Sequence, residues 1–104
     1  MNIEQYRWKN RLIITFSKED LERQNLKLKG FNSEFQDRDL KLISLSPKSK
    51  STAIKKRFLL IGKDGTIKLQ SNQPFKPSTI FELIDSMPMR QQEMRKKSGK
   101  ASNI

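Results

Sequence analysis

Four short apolar runs along the chain predict the strands of a sheet. Residues 11–17 are rich in β-branched and aromatic side chains without alternation, which is typical of a strand buried on both faces. Residues 40–45 and 58–62 are also mostly apolar, whereas residues 66–70 alternate and predict a half-exposed strand at the sheet edge. The Lys-Asp-Gly segment at 63–65 favours a tight hairpin between the last two runs.

The spacing of leucine and phenylalanine predicts a first helix over residues 19–36. Leu21, Leu28 and Phe35 repeat every seven residues and would form one apolar stripe. Acidic residues in the first turn suit the positive end of the helix dipole. Gly30 lies inside this stretch and lowers helix propensity by roughly 1 kcal/mol. We therefore expect a bend at Gly30 or an earlier end of the helix.

A second helix is predicted from Pro77 to Met87. Proline suits the first position of a helix, and Pro88 would stop or kink the helix at its far end. Thr79 and Glu82 have the spacing of a capping box. The apolar residues recur at helical period and predict the buried face: Ile80, Phe81, Leu83, Ile84 and Met87.

The order of elements predicts an α/β fold with a mixed four-stranded sheet, built as a βαβ unit followed by a ββα unit with helices packed on it. This is the minimal thioredoxin-like plan. A polar loop at 46–52 and one helical turn at 53–57 would connect the second and third strands. The length favours a single thioredoxin-like domain over residues 1–97, and residues 98–104 are predicted to be a disordered basic tail.

The charge of the chain is strongly positive and unevenly distributed. The formal net charge is +11, and residues 41–104, with 14 basic and 4 acidic side chains, account for +10 of it. Such a basic half attracts nucleic acid, anionic lipid or an acidic protein. The charge therefore favours a polyanion or an acidic protein as the partner, and a solubilising surface is the simplest alternative.

The composition argues against catalysis. The chain contains no cysteine and no histidine, so it offers no thiolate nucleophile and no general base that titrates near neutral pH. We expect no enzymatic activity, no cofactor and no metal site. Residues 1–11 lack the apolar core of a signal peptide, and no stretch approaches 18 apolar residues. These features predict a cytoplasmic protein without a membrane span.

Four groups of residues resemble a known family. They are Tyr-Arg-Trp-Lys-Asn-Arg at 6–11, Arg-Asp-Leu at 38–40, the hairpin at 61–69, and Ile-Asp-Ser-Met-Pro-Met-Arg at 84–90 with Glu93 and Met94. Together they look like the bacterial domain of unknown function that is related to the DUDES domains of equarin-like and sushi-repeat secreted proteins. The resemblance covers roughly residues 5–95.

The resemblance implies a thioredoxin-like fold related to peroxiredoxins, without an established enzymatic activity. For the secreted relatives it suggests adhesion and matrix assembly. No proline precedes the predicted third strand, where redox-active thioredoxins carry one beside their cysteines. The comparison therefore also argues against redox function.

Two motifs are open to a functional and a structural interpretation. Tyr6 and Trp8 alternate with basic residues, which is how proteins hold single-stranded nucleic acid, although Trp8 would equally cap the edge of the core. Arg90 would either hold an anion or pair with a carboxylate such as Asp85.

The sequence thus predicts a non-enzymatic interaction module that binds an anionic or protein partner through a basic surface. A nucleic-acid-binding protein and a degenerate peroxiredoxin-like enzyme without thiol chemistry are the alternatives. We expect a monomer or a weak homodimer, because the edge strand at 66–70 carries polar residues that blunt pairing. The residues predicted to contribute to the basic surface are Arg7, Lys9, Lys55, Lys56, Arg57, Lys63, Lys68 and Arg90.

Overall fold

The computed structural model describes residues 3–102, and the side chains of residues 3–96. Four strands form one sheet in the order β2-β1-β3-β4, with β1 running parallel to β2 and antiparallel to β3, and β3 antiparallel to β4. The mixed four-stranded sheet predicted from the sequence is therefore confirmed. The strands are β1 (Arg11–Thr15), β2 (Leu40–Ser44), β3 (Phe58–Ile61) and β4 (Ile67–Ser71).

The helices of the described region pack on and beside this sheet. They are α1 (Lys18–Lys27), α2 (Asn32–Asp37), α3 (Pro77–Asp85) and α4 (Pro88–Ser102), with short 3₁₀ turns at Glu4–Tyr6 and Pro47–Ser49.

The helix predicted over residues 19–36 is two helices. α1 begins after Ser17, whose side-chain oxygen accepts a hydrogen bond from the Asp20 backbone N–H at 3.1 Å. The chain leaves the helix at Leu28, and Gly30 adopts a left-handed φ of 90° before α2 starts. The earlier helix end expected near Gly30 is thus confirmed.

The inward face of α1 differs from the predicted apolar stripe. Asp20 and Gln24 are the buried residues of this helix, whereas Leu21 is only half-buried. The Gln24 side chain is satisfied by the backbone of Phe75, since its amide donates to the Phe75 carbonyl at 3.0 Å and its oxygen accepts from the Phe75 N–H at 2.8 Å. A buried polar face is tolerated because each group has a partner.

Two local predictions were wrong. Residues 53–57 contain a turn and extended chain instead of a helical turn. The capping box at Thr79 does not form, because Pro77 already occupies the start of α3 and the N-cap is Lys76, which makes no side-chain cap bond. The apolar face of α3 is as predicted, with Ile80, Phe81 and Ile84 buried.

The core lies on both faces of the sheet, and alternate residues of β1 belong to different faces. Ile13 packs with Phe58, Leu60 and the buried residues of α3 on one face. Leu12, Ile14 and Leu59 lie on the other face, which is covered by residues from the lead-in before β1 and from the β2–β3 connection, including Tyr6 and Ile54. The strand predicted to be buried on both faces is confirmed.

α4 begins at Pro88, the residue that was expected to stop or kink the second predicted helix. Its backbone is helical across the predicted domain boundary at residue 97 and as far as Ser102, and residues 103–104 lie outside the described residues. The disorder of residues 98–104 in solution stays a prediction.

We name the two ends of the sheet after the direction of β1, which runs from the amino end to the carboxyl end. At the amino end, β1 and β2 begin with the paired residues Arg11 and Leu40, and β3 ends at Ile61. At the carboxyl end, β1 and β2 finish with the paired Thr15 and Ser44, and β3 begins at Phe58.

Candidate functional site

The amino end of the sheet buries four basic side chains. Each of them is at most 8% exposed, which would be costly for a charged group without an opposite charge beside it. Carboxylates from α2, α3, α4 and the residue before β2 supply those charges. We call these nine residues the ionic cluster: Arg11, Arg38, Lys63 and Arg90 with Glu34, Asp37, Asp39, Asp85 and Glu93.

Glu93 on α4 links the helix to the sheet. The two Nη atoms of Arg11 donate to its two carboxylate oxygens at 3.1 and 3.2 Å, and Lys63 Nζ donates to Oε2 at 2.6 Å. Lys63 also donates to Asp39 Oδ2 at 2.8 Å. Burial acts to raise the pKa of Glu93, but hydrogen bonds and charge from Arg11 and Lys63 hold that pKa below its ordinary value. The ionised carboxylate therefore joins α4 to β1 and to the turn after β3.

Asp85 links α3 to α4 and to the loop before β2. Arg38 donates to both of its oxygens, at 3.0 and 2.8 Å, and Arg90 Nε donates to Oδ1 at 3.0 Å. Arg90 also donates through Nη1 to the Asp37 carbonyl at 2.8 Å. Burial acts to raise the pKa of Asp85, and the two arginines outweigh it and lower that pKa.

Lys63 and Arg90 were both predicted to contribute to an exposed basic surface, and both are buried. Of the two interpretations of Arg90, anion binding or an ion pair, the structure shows the ion pair with Asp85. Sequence patterns missed the burial of Lys63 because the carboxylates that neutralise it lie 24 and 30 residues away in the chain, beyond the reach of local patterns.

The sequence analysis did not identify the ionic cluster as a unit. A signal was nevertheless present, because each group of residues that carries the family resemblance contributes members. Arg11 ends the first group, Arg38 and Asp39 open the second, and the third holds Lys63. The fourth holds Asp85, Arg90 and Glu93. The four groups thus contain seven of the nine residues of the ionic cluster.

Arg57, another predicted surface residue, is tied to α1. Its guanidinium donates to both oxygens of Asp20, through Nε at 3.0 Å and Nη2 at 2.5 Å. Burial acts to raise the pKa of Asp20, while Arg57 and then Arg23 lower it below its ordinary value. Asp20 is one of the acidic residues in the first turn of α1 that suit the helix dipole. The structure adds a charge partner, so Arg57 brings little free charge to the surface.

Lys68 is paired within the β3–β4 hairpin. Its Nζ donates to Asp64 Oδ2 at 2.9 Å, and Asp64 Oδ1 accepts from the Thr66 N–H at 3.0 Å. The Thr66 N–H, followed by Lys68, lowers the pKa of Asp64 to about 2. Gly65 supplies the left-handed φ of 85° that the turn requires.

Arg7, Trp8 and Lys9 lie beside the same hairpin. Trp8 is 59% exposed, so it does not cap the core edge as one interpretation held. The backbone N–H of Trp8 donates to the Lys63 carbonyl at 2.6 Å, which fixes the segment on the turn. The Arg7 guanidinium lies 5.4 Å from the Trp8 ring centroid, within the range of a cation–π contact.

The carboxyl end carries a different kind of basic surface. Residues 46–57, here called the lysine loop, connect β2 to β3 and contain Lys48, Lys50, Lys55, Lys56 and Arg57 without any aspartate or glutamate. The ammonium of Lys50 lies 5.3 Å from the Phe16 ring centroid, which fastens the loop to the end of β1. Among the described side chains, none of the four lysines has a carboxylate within 4.0 Å.

The eight predicted residues are therefore not one surface. Lys55, Lys56 and the paired Arg57 lie at the carboxyl end. The other five lie at or beside the amino end: Arg7, Lys9, Lys63, Lys68 and Arg90.

The carboxylates of the described residues were also compared with the requirements of a metal site. No group of three or more histidine, cysteine, aspartate or glutamate side chains among residues 3–96 has a geometry suited to a metal ion. Over the part of the chain that the structure describes, no helix is both long and apolar enough to cross a membrane.

The sheet order, with a parallel β1–α1–β2 unit followed by an antiparallel hairpin and α3, defines a thioredoxin-like fold. Residues 48–93 match the family model described as a domain of unknown function (DUF4174). A similar solved structure is the crystal structure of reduced 2-Cys peroxiredoxin from Plasmodium vivax. That protein is 15% identical, and the TM-score is 0.59 over 88% of this chain and 85% of the other. None of the curated proteins matches this chain.

A likeness at this identity concerns the fold alone, and it confirms the predicted thioredoxin-like architecture. The family match begins in the lysine loop, at Lys48, and ends at Glu93 in the ionic cluster. The matched stretch therefore includes part of both ends of the sheet.

Proposed function

We propose that this protein is a non-enzymatic interaction module that binds an acidic segment of a partner protein through the lysine loop. One observation carries the proposal. Lys48, Lys50, Lys55 and Lys56 lie in one connection and lack carboxylate partners among the described residues, while Lys63, Lys68 and Arg90 are neutralised.

The surroundings of the loop add to its positive field. Lys18 is exposed at the first position of α1, next to Phe16, against which Lys50 packs. The amino terminus of α1 itself carries the positive end of the helix dipole at the same end of the sheet. Clustered positive charges raise the rate at which a negatively charged partner associates, and this increase becomes smaller as the salt concentration rises.

An acidic protein suits this surface better than nucleic acid does. Single-stranded nucleic acid is held by basic residues interleaved with aromatic rings on which bases stack. The lysine loop contains no aromatic residue, and the neighbouring Phe16 is buried. The most exposed aromatic ring among the described residues, Trp8, lies beside the hairpin at the amino end, away from the four lysines.

Three further expectations belong to the same proposal. A relationship to the DUDES domains is supported by the residues shared with that family, seven of which belong to the ionic cluster. A cytoplasmic location and a monomeric or weakly dimeric state are compatible with a small charged module. The peroxiredoxin-like alternative would require catalysis without the cysteine or histidine that the chain lacks.

The test compares two variants with equal net charge. In the loop variant, Lys48, Lys50, Lys55 and Lys56 become glutamine; in the control, the exposed Lys9, Lys27, Lys29 and Lys76 become glutamine. Binding of a fluorescent polyglutamate peptide and of a single-stranded oligonucleotide with the same charge is measured by anisotropy at two salt concentrations. At about 0.4 kcal/mol for each exposed ion pair, the loop variant should bind the peptide about tenfold more weakly.

The control variant should change the affinity much less. Equal losses in both variants would mean that only diffuse net charge acts, and the lysine loop would not be the site. A clear preference of the unmodified protein for the oligonucleotide would replace the acidic-protein reading with nucleic-acid binding. No binding to either probe at low salt would contradict the proposal altogether.

A further inference from the structure

β2 is an edge strand whose outer side is open. It pairs with β1 alone, and in a parallel pair alternate residues of a strand direct both their N–H and their C=O to the same neighbour. The Leu45 N–H donates to the Thr15 carbonyl at 2.9 Å, so the odd-numbered residues of this segment face β1. Leu40, Leu42 and Ser44 therefore direct their backbone groups outward, where those groups have no hydrogen-bond partner among the described residues.

A groove of about 440 Å³ runs along this open edge. Its wall on the helix side is apolar and is formed by Leu28, Phe35 and Leu42. Tyr6 and Lys41 line it on the other side. Because side chains alternate between the two faces of a strand, a chain added here would meet hydrocarbon with one face and a cation with the other.

The charge of the groove favours an acidic occupant. Lys41 is the charged residue of its lining. The ammonium of Lys41 lies 5.8 Å from the Tyr6 ring centroid and has no carboxylate within 4.0 Å among the described side chains. A second copy of this chain would bring a further formal charge of +11 and would be repelled, whereas an acidic chain would be attracted.

The other edge strand, β4, is less suited to pairing. It carries Lys68 and Gln70, polar residues of the kind that blunt sheet edges, and Lys68 is held by Asp64. The register of β4 against β3 shifts between Leu60 and Ile61, and such irregularities bend an edge away from a regular ladder. The two edges therefore differ, and β2 is the one that is open to a partner strand.

The open edge is continuous with the lysine loop. β2 ends at Ser44, and the loop begins two residues later at Ser46. A chain that lies along β2 therefore reaches the lysines where the strand ends.

We propose that an extended segment of the acidic partner adds to the sheet as a fifth strand beside β2. Its apolar side chains pack against Leu28, Phe35 and Leu42, its acidic side chains alternate with them and face Lys41, and its acidic continuation meets the lysine loop. The inference rests on the proposed function, because it specifies how that partner binds.

N-methylated peptides test strand addition directly. The probe is a fluorescent peptide of alternating valine and glutamate, and two derivatives carry one backbone N-methyl group, either on a central valine or on a central glutamate. Only alternate N–H groups of an added strand face its neighbour, so one derivative should bind at least fivefold more weakly and the other almost unchanged. Equal affinities of the two derivatives would overturn the inference.

Amide hydrogen exchange locates the bound peptide. At a peptide concentration of about ten times Kd, exchange at the Leu42 and Ser44 amides should slow about tenfold, and exchange at Gln70 on the other edge should not change. Protection at Gln70 without protection at Leu42 would contradict the assignment of the edge.

A pair of proline variants compares the two edges. Ser44→Pro removes an outward N–H from β2, a change that edge strands tolerate, and should weaken peptide binding at least fivefold. Gln70→Pro on β4 is the matched control and should leave the affinity unchanged. If Ser44→Pro does not fold, the N-methylated peptides still decide the matter. Equal losses in two folded variants would argue against β2.

Two further outcomes concern the occupant. A peptide of alternating valine and lysine should bind at least tenfold more weakly than the acidic probe, and equal binding would rule out the acidic class. Self-association of the unmodified protein that competes with the peptide and disappears in Ser44→Pro would assign the edge to a second copy and overturn the inference.

The two proposals fail in different ways. If the N-methylated peptides bind alike while the loop variant still binds polyglutamate more weakly than its control, strand addition is wrong and the lysine loop remains the site. If one N-methyl position weakens binding while the loop variant and its control bind alike, β2 is the site and the role of the lysine loop is wrong.

Discussion

The two ends of the sheet use basic residues in opposite ways. At the amino end, Arg11, Arg38, Lys63 and Arg90 are buried, and each one meets at least one carboxylate. At the carboxyl end, the lysines of the lysine loop extend from a connection that contains no acidic residue. A single formal charge of +11 therefore conceals two arrangements: basic side chains paired with carboxylates at the amino end, and lysines without a carboxylate partner among the described residues in the lysine loop.

The difference matters for energetics as well as for binding. Removing one member of a buried ion pair leaves an uncompensated charge and costs about 3–5 kcal/mol, whereas an exposed pair contributes about 0–1 kcal/mol. Substitutions at the amino end should therefore act on folding, and substitutions in the lysine loop should act on binding. The following predictions test that division.

The largest effect is expected from Glu93→Gln, which removes the charge shared by Arg11 and Lys63. The free energy of unfolding should fall by about 3 kcal/mol, the lower end of the range, because Lys63 keeps Asp39. Urea denaturation measures the loss, and Glu82→Gln on the exposed side of α3 is the matched control. A loss below that of the control would show that the ionic cluster does not stabilise the fold.

A smaller loss should accompany acidification. The pKa values of Asp20, Asp64, Asp85 and Glu93 are all lowered in the folded protein, so the unfolded chain takes up protons first as the pH falls. The stability that these carboxylates contribute is fully present above their ordinary pKa values of 3.8 for aspartate and 4.5 for glutamate. It is lost as the pH falls further, through the lower pKa values of the folded protein. Stability measured from pH 6 to pH 2.5 should therefore decline, and Glu93→Gln should decline less steeply. Equal slopes for the two proteins would argue against this account.

Asp20→Asn should weaken folding and strengthen binding at once. The Arg57–Asp20 pair connects the end of the lysine loop to α1, and its loss should lower the free energy of unfolding by less than Glu93→Gln does, since Arg57 is exposed to solvent. The freed guanidinium then joins the four lysines, so polyglutamate affinity should rise. Glu22→Gln, on the exposed side of α1, removes the same charge as a control. If affinity rises equally in both variants, the release of Arg57 is not the cause.

The smallest effect on folding is expected from the loop variant in which Lys48, Lys50, Lys55 and Lys56 become glutamine. Its free energy of unfolding should stay within about 0.5 kcal/mol of the unmodified protein, because these side chains lack carboxylate partners among the described residues. Thermal unfolding followed by circular dichroism measures this. A larger loss would mean that the loop is structural, which would erase the contrast between the two ends.

Sequence patterns predicted most of the fold, because strands and helices are selected by local periodicity. The segment at 11–17, rich in β-branched and aromatic residues, contains β1 at Arg11–Thr15, and Gly30 lies close to where the first helix ends. The patterns misjudged α1, whose inward face carries Asp20 and Gln24, since their partners Arg57 and Phe75 lie 37 and 51 residues away.

The site was less predictable than the fold for the same physical reason. The order of elements, the positive charge and the lack of cysteine and histidine are properties of the chain itself, and the sequence determined them. Whether a given lysine or arginine is buried and paired depends on which carboxylate the folded chain brings within a few ångströms. Only the tertiary structure decided that Lys63 and Arg90 are buried in ion pairs and that, among the described residues, Lys55 and Lys56 lack a carboxylate partner and Arg11 Nε lacks an acceptor.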